Sequence, residues 1–291
     1  MLDNAILSGV INVYKPKGLT SYDVVYKIKK KLNLQRTVKI GHTGTLDPIA
    51  TGVLPICIGR ATKISNLIMN EDKEYRAILK LGEKTDSDDI TGKVIDSKPF
   101  LGSEKDIYDC ISQFKGKIEQ IPPMFSAIKK DGIRLYELAR KGIEIDRLPR
   151  EININSIKII SIQNSNVEIL VNCSKGTYIR TLCADIGEKL NTFAHMIELE
   201  RTRSGIFCYL DSKKIEEINS NSIIPIQSIL SFMPKVIANR EAKNMLENGN
   251  KIPKYMLDTE INEEFLLYCD DKLYGIYKII DDIAKPSIIL F

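Results

Sequence analysis

Hydrophobic and polar positions along this chain change period repeatedly, and the changes mark out its elements. Val10-Ile11-Asn12-Val13-Tyr14 reads as a short strand, stopped by the turn Lys15-Pro16-Lys17-Gly18. Thr20 and Asp23 stand at capping-box spacing, and Val24, Val25, Ile28 and Leu32 then share one helical face. After Ile58-Gly59-Arg60-Ala61-Thr62-Lys63, the residues Ile64, Leu67 and Ile68 continue at helical spacing. Residues 74–82 switch to period two, with Tyr75, Ala77, Leu79 and Leu81 on one face and Arg76 and Lys80 on the other. Ile107, Cys110, Ile111 and Phe114 mark a further helix. Alternation over 152–162 and 167–173, about Asn164-Ser165-Asn166, predicts a hairpin. Cys173 then leads through Ser174-Lys175-Gly176 into a helix running to Leu190. Pro225 begins a linker-like change; residues 236–249 read as strand, helix and glycine cap, followed by strand runs at 265–268, 273–277 and 287–291. A large domain over 1–225 and a small one over 226–291 are therefore expected.

One stretch fits neither period. Residues 41–55, Gly-His-Thr-Gly-Thr-Leu-Asp-Pro-Ile-Ala-Thr-Gly-Val-Leu-Pro, pack three glycines, two prolines and three threonines around His42 and Asp47. Glycine permits close or left-handed backbone and proline fixes φ, so this is a shaped loop. Apolar residues 38–40 and 53–58 anchor it on both sides. A single carboxylate on such a loop suits nucleophilic or electrostatic catalysis, although Asp-Pro with glycines is also ordinary turn chemistry. The stretch has neither the Rossmann spacing nor the phosphate-loop ending, and no cofactor is expected.

Composition narrows the class. With 43% hydrophobic and 27% charged residues the chain is an ordinary globular one, and it has no apolar run long enough for a membrane helix. Met1-Leu2-Asp3-Asn4 lacks the layout of a signal peptide. Six cysteines without C-x-x-C spacing suggest buried small hydrophobes in a reducing compartment, hence a cytoplasmic protein. Two histidines, His42 and His195, make a zinc site unexpected, and no metal is assigned. The aspartates at 86, 88 and 89 lack calcium-loop spacing and read as a solvated turn. The net charge of +4 is uneven: residues 226–291 hold eight basic and ten acidic residues, which leaves +6 on the rest. Residues 122–150 hold seven basic and four acidic residues with Phe125 and Tyr136 among them, a composition suited to an arm that closes on looped RNA, or to a plain packing helix. Lys27, Lys29, Lys30 and Lys31 read as a solvated helix face.

Four strings carry a resemblance: Lys15-Pro16-Lys17-Gly18; residues 41–55; Pro122-Pro123-Met124-Phe125-Ser126-Ala127-Ile128-Lys129 with the later Tyr136-x-x-Ala139-Arg140-x-Gly142; and Cys173-Ser174-Lys175-Gly176-Thr177-Tyr178-Ile179-Arg180, joined by residues 194–205. Together they resemble the TruB family of pseudouridine synthases, which act on the T loop of transfer RNA. The resemblance implies an α+β fold: a mixed, mainly antiparallel central sheet flanked by helices, with a small PUA-like β-rich C-terminal domain. It implies isomerisation of uridine to pseudouridine at position 55 with base flipping, on the T arm of tRNA, by a stand-alone monomer that needs no guide RNA and no membrane. It makes Asp47 the catalytic residue, pairs it with Arg180, and stacks Tyr75 on the target base. Leu199 would pack against the nucleotide and His42 prop the vacated space. Lys17, Lys63, Lys129, Lys130 and Lys175 are candidates for phosphate contact. His195 reads as a packing or hydrogen-bonding residue. Tyr14 and Glu200 depart from the family pattern, which has Asp or Asn at the first position and a basic or small residue at the second. Attack on the ribose, formation of a glycal and attack on the pyrimidine ring all remain open. A non-catalytic RNA-folding module, a guide-RNA-dependent subunit and, more remotely, a hydrolase using His42 and Asp47 are the competing readings.

Overall fold

The structure, a computed structural model, describes residues 8–126, 128–130, 132–261 and 263–291. The stretch 1–4 and Ala127, read above, lie outside them. In chain order come β1 (Gly9–Lys15), α1 (Ser21–Lys31), β2 (Ile40–His42), β3 (Thr51–Ile58), α2 (Ser65–Asn70), β4 (Lys73–Leu81), β5 (Glu83–Thr85), β6 (Val94–Ser97), α3 (Glu104–Ser112) and β7 (Gly116–Gln120). A small hairpin, β8 (Lys129–Lys130) and β9 (Ile133–Arg134), precedes α4 (Leu135–Ala139). Then follow β10 (Arg150–Gln163), β11 (Asn166–Cys173), α5 (Ile179–Lys189), β12 (Ala194–Ser204), β13 (Phe207–Cys208) and β14 (Ile224–Pro225). The last strands are β15 (Lys235–Ile237), β16 (Ile252–Pro253), β17 (Phe265–Cys269), β18 (Lys272–Ile280) and β19 (Ile283–Ile289).

The main sheet runs β14-β1-β3-β12-β4-β11-β10-β7, with β2 on β3 and β13 on β12. Its pairings are antiparallel apart from β3 beside β12, so it is the mixed, mainly antiparallel sheet expected. The parallel contact is close: a Cβ on Gly52 (φ +104°) would stand 2.3 Å from the Arg201 carbonyl oxygen. Only glycine fits there, and it seats the loop's exit strand on β12.

Alternation explains the core. On β3, Leu54, Ile56 and Ile58 join a large cluster with Ile11, Val13, Val24, Ile28, Leu79, Ile169 and Leu182. Val53 and Cys57, on the opposite face, join a second cluster with Leu266, Leu273, Ile276 and Leu290 of the C-terminal strands. A strand buried on both faces has to read as a continuous apolar run, which residues 53–58 do. Each fully buried Leu or Ile contributes about 1.5–3 kcal/mol, so both faces hold β3 firmly. The capping box of α1 forms as predicted, Thr20 with Asp23. Pro225 is no free linker: it pairs with Gly9 at the sheet edge, because the apolar residues that follow it, Ile226 and Ile229, are drawn into the second cluster. The C-terminal sheet has the order β15-β17-β18-β19-β16.

Candidate active site

The loop between β2 and β3 is stapled from three directions. The Ser21 hydroxyl, at the start of α1, accepts from Leu46 N–H at 2.8 Å and donates to its carbonyl at 3.1 Å. From the β1 turn, Gly18 N–H donates to Pro48 O at 2.8 Å, and the buried Lys15 Nζ reaches Leu19 O at 2.6 Å, Pro16 O at 3.1 Å and Pro48 O at 3.4 Å. From β12, the buried Arg201 donates through Nε to Val53 O at 2.7 Å and through Nη2 to Gly44 O at 3.1 Å. Asp47 opens a tight turn, with Pro48 second and Ala50 N–H returning to Asp47 O at 3.0 Å. Charged groups satisfied by main-chain carbonyls here replace the hydration that burial removes.

Arg180 meets this loop from the first turn of α5. Its Nε stands 3.1 Å from Asp47 Oδ2 and its Nη1 3.5 Å from Asp89 Oδ2. Nη2 donates to Phe125 O at 2.7 Å and Nη1 to Ser87 O at 3.4 Å. The guanidinium fork thus holds two carboxylates and two carbonyls at once, which an ammonium could not do. The side chains of Arg180 and Asp89 are 6% and 5% exposed, and that of Asp47 37%. Asp47 is therefore the member of the network that faces outward. Burial pushes the Asp47 carboxyl above its ordinary range; the Arg180 guanidinium opposes this, Asp89 adds to it and Lys15 opposes it.

Asp89 departs from the reading of the aspartates at 86, 88 and 89 as a solvated turn: it is buried, while Asp86 is exposed. Its carboxylate accepts from Ser87 Oγ at 2.8 Å and Thr91 N–H at 2.9 Å, and its backbone bridges to Met196. The partner that buries it, Arg180, lies 91 positions away in sequence, so local spacing carries no sign of it. Arg201 is the other functional residue the sequence pattern conceals; a basic residue in an alternating strand reads as surface.

Tyr75 packs against the large cluster and pairs across strands with Arg201. Burial raises its phenol, and Arg201 opposes that rise. Leu199 is buried on β12, with its carbonyl accepting from Thr51 Oγ1 at 3.4 Å. His42 Nδ1 accepts from Gly44 N–H at 3.4 Å, while burial and Arg201 pull its pKa down, so the ring is neutral with Nε2 carrying the proton. His195 Nδ1 contacts Glu83 O at 3.1 Å, a structural bond. Lys17 is exposed on the turn docked to Pro48. Lys129 and Lys130 are exposed on the β8–β9 hairpin, and Lys130 Nζ donates to Asp146 O at 3.3 Å. The structure does not gather the other two lysines at the loop: Lys63 Nζ holds Ile289 O of the C-terminal sheet at 2.7 Å, and Lys175 Nζ holds Asn70 Oδ1 at 2.8 Å. The two departures from the family pattern meet each other, Tyr14 O–H donating to Glu200 Oε1 at 2.7 Å.

Asp185 of α5 lies behind the site. Burial, then Glu188 and Asp88, push its carboxyl up to about 6, while a bond from Gln120 opposes. A carboxyl raised in the fold adds stability below its unfolded pKa that is lost as pH climbs to the folded one. The shift from 3.8 to about 6 corresponds to about 3 kcal/mol, reduced to about 1 by partial solvent access. Asp185→Asn is expected to stabilise the protein by about 1 kcal/mol at pH 7.5 and by nothing near pH 4. Urea unfolding at the two pH values measures this; an equal gain at both would refute the assignment.

An outward-facing carboxylate on a stapled loop, paired with a buried guanidinium, is an arrangement suited to electrostatic or nucleophilic chemistry. The fold matches a chain in a crystal structure of a Cbf5-Nop10-Gar1 complex with a TM-score of 0.71 and 27% identity, over 99% of this chain and 85% of that one. The architecture is thus a Cbf5/TruB-like fold. The N-terminal domain of the TruB family pseudouridylate synthases matches residues 29–179, and the tRNA pseudouridylate synthase B C-terminal domain matches 180–227. Tested against individual proteins, the chain is 50% identical over 279 residues to tRNA pseudouridine synthase B of Clostridium tetani, covering 93% of this chain and 95% of that protein. It is 40% identical over 287 residues to the protein of that name from Listeria monocytogenes, covering 94% and 93%. The chain belongs to the TruB family of pseudouridylate synthases. Among the described residues no helix is long and apolar enough to cross a membrane.

Proposed function

We propose that this chain converts the uridine at position 55 in the T loop of transfer RNA to pseudouridine, acting alone, with Asp47 as the catalytic carboxylate. The observation that carries the proposal is the 3.1 Å contact between Asp47 and Arg180 at the outward-facing end of a buried charge network. The family and the names of the relatives supply the substrate class. The reaction breaks the N1–C1′ bond, forms C5–C1′, moves a proton from C5 to solvent and returns one to N1, with no redox change. Asp47 acts ionised, on the anomeric carbon, on a ribose proton or on the ring. Arg180 keeps it ionised where burial would protonate it. The base reacts only when flipped out, at a cost of a few kcal/mol. Tyr75 stacks on the extruded uracil, Leu199 walls the pocket, and the neutral His42 fills space at the loop edge. Residues 122–150 act as the RNA-embracing arm, with Lys17, Lys129 and Lys130 meeting phosphate. Residues 1–225 are the catalytic domain and 226–291 the PUA-like one.

Purified protein and an unmodified transfer-RNA transcript test this directly. Pseudouridine should form at position 55 alone, without guide RNA or added protein, and equally in a transcript of the T stem-loop. Product at another uridine, or a requirement for guide RNA, would overturn the reading.

A further inference from the structure

Gln120, the last residue of β7, is buried to 3% exposure. Its carboxamide faces main chain. Oε1 accepts from Tyr178 N–H at 2.8 Å, and Nε2 donates to Tyr178 O at 3.0 Å. Both polar groups of one residue are thus held by a single side chain. Tyr178 is the N-cap of α5 and has no side-chain cap of its own. Arg180 follows two residues later. Asp185, further along α5, lies close to the same carboxamide. A carboxamide with both its acceptor and a donor used in a buried place is geometrically determined, and so are the groups it binds.

The same residue marks the root of the arm. Gln120 pairs with Arg150 at the end of the β7–β10 ladder, so the chain between them leaves and rejoins the sheet at one rung. Five residues past Gln120, the Phe125 carbonyl accepts from Arg180 Nη2 at 2.7 Å. One polar side chain therefore connects the arm's point of departure to the helix turn that carries Arg180.

We propose that Gln120 is a positioning residue for the reaction: its carboxamide clamps Tyr178 so that Arg180 meets Asp47, and joins that placement to the root of the arm. The inference rests on the pseudouridine-forming reading of the Asp47 site. A buried glutamine that merely fills space would require shape and no directed hydrogen bonds, which is the contrast to test.

Gln120→Glu keeps the shape. The introduced carboxylate still accepts from Tyr178 N–H, but it faces Tyr178 O and Asp185 without a donor; Arg150 on the neighbouring strand and Arg180 are the cations nearby. Protonation returns one O–H donor. Single-turnover rates on the transfer-RNA transcript are compared between about pH 6 and about pH 8.5. The wild-type rate holds or rises with pH as Asp47 ionises. The Gln120→Glu rate should run the other way, about 30-fold below wild type at the higher pH and within about 3-fold at the lower. RNA affinity should stay within about 3-fold throughout. Gln120→Met, which preserves volume and removes both bonds, should be slow at every pH with affinity kept, and it carries the test should Gln120→Glu not fold. A Gln120→Glu profile parallel to wild type, or a loss confined to affinity in either variant, overturns the proposal. A wild-type protein that forms no pseudouridine defeats the underlying reading instead.

Discussion

Asp47→Asn should abolish uridine isomerisation, lowering the single-turnover rate by at least about 10⁴-fold while RNA affinity stays within about 3-fold. Asparagine is isosteric with aspartate, so the turn through Pro48 and Ala50 and the staples from Ser21, Gly18 and Arg201 persist. What disappears is the anion. The loss of about 5 kcal/mol in barrier lowering has no replacement nearby, because Asp89, the other carboxylate on Arg180, is 5% exposed and turned inward. Stability moves the opposite way. Burial already disfavours the ionised carboxyl, so removing the charge should leave the melting temperature at pH 8 unchanged or raised. A variant that turns over, assayed after purification away from host enzyme, would reject Asp47 as the reactive group; one that melts earlier would reject this account of its electrostatics.

Arg180→Met carries the second large effect. The rate should drop by about 10³-fold, in the range found when one preorganised electrostatic partner is removed. Two carboxylates, 3.1 Å and 3.5 Å from the lost nitrogens, then share a buried space without their cation, a change that costs about 3–5 kcal/mol of stability. The sign of the pH dependence follows. Asp47 works when ionised, so activity is present above its pKa and falls as pH drops through it. Its pKa is already raised, and without the opposing guanidinium it rises further. The variant should therefore compare worse with wild type at pH 6 than at pH 8, in rates measured at saturating RNA. Arg180→Lys restores charge without the fork, and should recover pH dependence more than rate.

Much of this arrangement is legible in the residues themselves. The capping box at Thr20 and Asp23 and the hairpin about Asn164 both became the elements their patterns imply, because each rests on local sequence signals; the apolar run 53–58, read only as an anchor for the loop, is a strand buried on both faces. The Asp47 loop stands out for a similar reason: glycine and proline announce unusual backbone. Pairing with Arg180 is not local. It came from the resemblance, and the structure supplies the contact. Asp89 and Arg201 escaped because charge in a short segment reads as solvated until its distant partner is known. Gln120 escaped because a carboxamide bound to main chain leaves no mark in composition. Lys63 and Lys175 hold the protein's own carbonyl and amide oxygens, a use that a position beside a motif does not reveal.

Strand β3 emerges directly from the reactive loop and sends alternate side chains into two different cores, one beneath the helices and one shared with the C-terminal sheet. The C-terminal strands are for that reason part of the footing on which the loop's exit strand rests, even though none of their described residues joins the Asp47–Arg180–Asp89 charge network.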